Sequence, residues 1–95
     1  MTTNDLQFMI RFAKKFGRHT IALDIIELLI NNNGEYIGSY RALAQKLKRN
    51  KNDASNIRKV CIWLAKQGIA YAQSTKDNDD YNTIIVMDDN WKESV

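Results

Sequence analysis

Ile57, Val60, Cys61 and Leu64 stand at relative positions 0, 3, 4 and 7 of one uninterrupted segment, Ser55 to Gly68. That spacing puts all four on one side of a helix and commits that side to a core. Gly68 supplies the stop. Directly upstream the character changes. From Lys48 to Lys59 the sequence reads KRNKNDASNIRK, with five cations, one acid and only two apolar residues. One rod must therefore be buried along one face while its N-terminal half opens onto a polar, cationic surface. A chain of 95 residues builds only one core to bury it, so the other elements must be arranged around it.

Those elements can be read in order. Thr3 or Asn4 caps a first helix that Gly17 ends, with Asp5 favourable in its first turn. Leu6, Met9, Ile10, Ala13 and Phe16 recur at helical spacing along one side. Phe8 and Phe12 fall on another flank, a surplus for extra core or a dimer surface. A second helix, Arg18 to Asn31, is apolar nearly all round and reads as central; Asn31-Asn32-Asn33-Gly34 stops it. Glu35 to Gly38 suits a short strand. Ser39 caps a third helix, Tyr40 to Leu47, with Leu43, Ala44 and Leu47 inward. Lys48 to Asn52 forms a polar turn, and Asn52 or Asp53 caps the fourth helix. Ile69 to Thr75 reads as a strand, 76–80 as a loop, and the β-branched run YNTIIVM, Tyr81 to Met87, as the returning strand. Trp91 lies in a short tail. No proline, repeat or low-complexity tract interrupts this order.

Charge is segregated along the chain. Residues 41–66 hold eight cations against Asp53 alone, a net +7, whereas residues 67–95 hold two cations against six acids, a net −4. A local positive field of this kind suits a polyanion. No apolar run approaches the roughly 18 residues of a membrane span, since Asp24 and Glu27 break the longest. The N-terminus lacks the features of a signal peptide. The lone Cys61 cannot form an internal disulfide and reads as a small core residue. The expected setting is the cytoplasm, in association with the nucleoid.

The order helix, helix, short strand, helix, polar turn, helix, hairpin resembles the winged helix-turn-helix family over residues 20–87. Ser39-Tyr40-Arg41-Ala42-Leu43-Ala44-Gln45-Lys46-Leu47 is similar to the family's first motif helix. Ser55 to Ile69, closed by a glycine and an apolar residue, is similar to its recognition helix. The resemblance implies a mainly α fold with a small β-hairpin (α+β): about four helices plus a two- to three-stranded wing sheet in a single domain, 1–95. Within it, 1–17 is an N-terminal helix and candidate dimerisation element, 18–68 a helical core with the helix-turn-helix at 39–68, 69–87 the wing hairpin and 88–95 a tail.

The same resemblance implies sequence-specific binding of duplex DNA. Asn52, Ser55, Asn56, Arg58 and Lys59 are the types that hydrogen-bond base edges and phosphates in a major groove. Arg41, Lys46, Lys48, Arg49 and Lys51 would hold the backbone, with Gln73 and Lys76 at the base of the wing. The wing tip, Lys76-Asp77-Asn78-Asp79-Asp80, departs from the family pattern, because its three acids repel phosphate. Ile62 and Trp63 also depart from it, standing where polar residues are usual. Core packing under Phe8, Phe12 or the hairpin is favoured for this pair over a partner surface. The candidate dimer or partner surface comprises Phe8, Phe12, Ile62, Trp63 and Trp91, since one recognition helix reads only a few base pairs and two copies would read two half-sites.

Enzyme chemistry finds no support. His19 is the only histidine and reads as a helix-start side chain. The glycines stand at element boundaries and form no phosphate loop. The acidic tip lacks the rest of a calcium ligand set. No cofactor, metal, membrane or small-molecule substrate is implied. The expected role is a small transcriptional regulator or a plasmid or phage replication or partition factor. The alternatives are a protein-interaction adaptor using Ile62, Trp63, Phe8 and the acidic wing, and a single-strand binder stacking bases on Tyr40, Tyr71, Tyr81 or Trp91.

Overall fold

A computed structural model describes residues 1–17, 19–74 and 83–95 in full and the backbone of 75–77 and 80–82. The chain forms α1 (Thr3–Phe16), α2 (Thr20–Asn31), β1 (Glu35–Gly38), α3 (Tyr40–Lys46), a 3-10 turn (Lys51–Asp53), α4 (Ala54–Lys66), β2 (Ala70–Asp77), β3 (Asp80–Met87) and a last 3-10 turn (Trp91–Glu93). It is mainly helical, with a three-stranded antiparallel sheet in the order β1-β3-β2. No helix among the described residues is long and apolar enough to cross a membrane.

α1 begins one residue before the sequence suggests. Thr2 is the cap: its hydroxyl accepts from the Asp5 amide at 3.2 Å, and the Thr2 amide donates to the Asp5 carboxylate at 3.0 Å. This reciprocal pair needs an acceptor three residues past the cap, which Asp5 provides. Of the two apolar sides that the sequence offers α1, the one with Phe8 and Phe12 takes the core. Phe8 and Phe12 are fully buried, whereas Leu6 and Ile10 remain 49% and 56% exposed. Both sets fit a helical period. The space between Trp91 and Trp63 selects the larger set, and rings fill it edge to face: Phe8 on Trp91 at 4.6 Å, Phe12 on Trp63 at 5.8 Å and Phe16 on Trp63 at 4.9 Å. The chain's two ends are joined here. Lys92 pairs with Asp5 at 2.9 Å, and Arg11 donates to the Lys92 carbonyl at 3.2 Å.

α2 starts at Thr20 rather than Arg18, and it is central as expected, burying Ala22, Ile25, Ile26 and Leu29. Gly34, at φ 83, ends it by donating to the Leu29 carbonyl at 2.7 Å. The turn delivers β1 to β3, where Tyr36 faces Ile85. One face of the sheet, carrying Tyr36, Ala70, Thr83, Ile85 and Met87, joins the core. The other exposes Ile37, Tyr71 and Val86. α4 lies against α2, α3 and β2, and it buries Ile57, Cys61 and Leu64 with Val60 half-buried. This is the face that the 0, 3, 4, 7 spacing predicts.

Candidate nucleic-acid interface

The surface built by α3, the following turn and α4 owes its shape to a tight reversal at 47–53. Lys48 takes a left-handed conformation, φ 57, uncommon for a residue with a side chain. It lets Lys48 and Arg49 donate back to the carbonyls of Gln45 and Ala44 at 3.0 and 2.8 Å, closing α3. The Asn50 side chain then accepts from the Asn52 amide at 3.0 Å and caps the 3-10 turn that runs straight into α4. Asp53 stands at the N-cap position of α4, as expected, but the side-chain cap bond of this segment is made by Asn50. Asp53 makes no side-chain cap bond, because the 3-10 turn already places the chain in a helical path before Ala54.

Cations crowd this surface. Arg41, Lys46, Lys48, Lys51, Arg58 and Lys59 are all exposed, as are Asn52, Ser55 and Asn56. The Lys46 ammonium also lies 5.5 Å from the centre of the Tyr36 ring. Asp53 is the one acid between residues 41 and 66. Along α4 the exposed residues Ser55, Arg58, Lys59, Ile62 and Lys66 form a stripe about three turns long opposite the buried Ile57, Cys61 and Leu64, with the exposed Asn56 at its flank. Burial pushes the Cys61 thiol up to about 12, so it stays protonated and inert.

Several assigned residues are placed differently. Arg49 is half-buried, with its guanidinium 3.4 Å from Asp24 on α2 and its Nε enclosed without a partner. It fastens the turn to α2 and is withdrawn from the surface, so it leaves the backbone-contact set. Gln73 is exposed but faces away from α4, because it lies in register with Ile84 on the outer side of the sheet. The β2 residues on the α4 side are Ala72 and Ser74. Those two, with Tyr40, Arg58, Ile62 and Lys66, line an open notch of about 420 Å³ between α4 and the sheet. Sequence reasoning missed Ser74, although the two-residue alternation from the buried Ala70 points to it. The side chains of Lys76 and Tyr81 and the acidic tip lie outside the described side chains.

The candidate partner surface changes most. Phe8 and Phe12 are fully buried within their own chain, and neither can meet a partner. Trp91 and Trp63 are half-buried against α1, and Trp63 also stacks on His19 at 5.1 Å. Ile62 alone of the five is exposed, at 46%. It packs under neither α1 nor the hairpin. No family model, no curated protein and no solved structure matches this chain.

Proposed function

We propose that this chain is a winged helix-turn-helix protein that binds duplex DNA sequence-specifically, with α4 as its recognition helix in the major groove. One observation carries the reading: Ser55, Asn56, Arg58 and Lys59 are exposed on a helix whose opposite side is fully buried by Ile57 and Leu64. Such a helix has a fixed aim, and it presents cations, a hydroxyl and an amide, the groups that recognise base edges and phosphates. The strand order β1-β3-β2, with the hairpin beside α4, supports a wing. Arg41, Lys46, Lys48 and Lys51 are the positioning contacts, of which Lys46 and Lys48 also border a hollow shared with Asp24 and Glu27 of α2. The role that follows is a small transcriptional regulator or the DNA-binding part of a plasmid or phage replication or partition system. It is a non-enzymatic role, carried out by two copies on paired half-sites.

Binding to a random-sequence duplex, followed by fluorescence anisotropy across a salt series, tests this. About five neutralised phosphates give a slope of log affinity against log salt of about −4.5. Arg58→Ala with Lys59→Ala removes binding and leaves the circular dichroism spectrum unchanged, because both side chains are exposed. Salt-independent binding, or binding indifferent to that double substitution, sinks the proposal. A second reading, an interaction adaptor, draws on Ile37, Tyr71 and Val86, which stay exposed on the outer face of the sheet.

A further inference from the structure

Ile62 occupies the centre of the exposed stripe of α4, directly opposite Ile57 and Leu64. Arg58 and Lys66 stand one turn before and one turn after it, Lys59 stands at its side, and all three are exposed. An isolated surface isoleucine is ordinary. An isoleucine flanked by three cations, with no acid on the stripe, asks for a ligand that offers an apolar group within a few ångströms of negative charge. In a DNA major groove the C5 methyl of thymine is that group, the only apolar projection from a base edge, with phosphates on both sides.

Resting on the reading of α4 as the recognition helix, we propose that Ile62 is a specificity residue that covers a thymine methyl, while Arg58, Lys59 and Lys66 hold the flanking phosphates and bases. The geometry of α4 supports this placement. Ile62 lies seven residues past Ser55, about 10 Å along the helix, on the same line as the hydrogen-bonding residues. The notch beside it, bounded by Tyr40, Ala72 and Ser74, leaves its outer side open. The preferred sites are therefore duplexes with thymine at one fixed step from the bases that Ser55 and Arg58 meet.

The test compares two duplexes that differ only in that methyl: alternating adenine–thymine, and the same duplex with deoxyuridine in place of thymidine. The wild-type chain should bind the thymine duplex about four-fold more tightly for each methyl that Ile62 covers. Ile62→Ala should bring the ratio close to one without weakening binding to the uracil duplex. Arg58→Ala should lower both affinities together and keep the ratio. Any change in duplex shape caused by uracil acts on wild type and Ile62→Ala alike, so the Ile62-dependent part of the ratio is the readout. A wild-type ratio of one, with binding that is still salt-dependent and Arg58-dependent, overturns the role of Ile62 and leaves DNA binding standing. A ratio unchanged in Ile62→Ala does the same. Absence of binding to either duplex overturns both.

Discussion

Asp5 occupies the third position of α1, where its carboxylate accepts from Lys92 and from the Thr2 amide. The Lys92 hydrogen bond first, and the Thr2 backbone next, hold its pKa down at about 2 from an ordinary 3.8. A depressed carboxyl pKa means that the folded chain favours the charged form more than the unfolded chain does. The stabilisation is then complete above the unfolded value and is lost as the pH falls from about 4 through 2. Asp5→Asn should cost about 1 kcal/mol at neutral pH, typical of a damaged cap. Its gap to the wild type in urea unfolding should close across that acid window. A gap that stays constant down to the lower value refutes the pairing. Asp5 was legible as a first-turn acid from sequence alone. Its link to Lys92 was not, because nothing local announces a contact across 87 positions. Arg49 shows the same limit: sequence counts its charge, but only the fold reveals that Asp24 has taken it.

At the scale of elements, periodicity located all four helices and the paired strands to within a few residues, because the apolar spacing and the stop signals agree there. It left the orientation of α1 open. Met9, Phe16, Phe8, Phe12, Leu6 and Ile10 cover more than half of the helix circumference, and hydropathy ranks them nearly equal. The deciding term is shape. Phe12 meets Phe8, Phe16 and Trp63 at ring separations of 6.1, 5.0 and 5.8 Å, and Ile10 has no such neighbours. Phe12→Ala should therefore cost about 3–5 kcal/mol in urea unfolding, a large part of what a domain of this size has. Ile10→Ala should stay within about 0.5 kcal/mol of wild type. Equal costs would mean that α1 is turned the other way. The exposed stripe of α4 was more legible, since the buried 0, 3, 4, 7 set defines its opposite. Ile62 alone was misread, because an apolar residue on a short helix is ordinarily assigned to the core.

For the whole molecule, the proposed pairing of two copies on half-sites requires a surface that joins them. The outer face of the sheet carries Ile37, Tyr71 and Val86, but acids border it. Glu35 lies in register with Val86, and the Asp88 carboxylate raises the Tyr71 phenol above its ordinary pKa. A two-fold interface would set these carboxylates against their own copies, which disfavours self-pairing there. The outward stripe of α1, Thr3, Leu6, Gln7 and Ile10, is exposed and free of charge as far as Lys14, and antiparallel pairing opposes the ends of the two helix dipoles. Leu6 and Ile10 span only about 6 Å. Such a contact falls far below the roughly 800 Å² per partner of a stable dimer. The free chain should therefore sediment as an 11.0 kDa monomer and pair only where two half-sites hold two copies at high effective concentration. On a selected palindrome the second copy should bind about tenfold more tightly than the first. Leu6→Glu with Ile10→Glu should abolish that cooperativity and leave the affinity for one half-site unchanged. Independent binding of the wild-type copies, or cooperativity that survives the double substitution, rules out α1 as the joint.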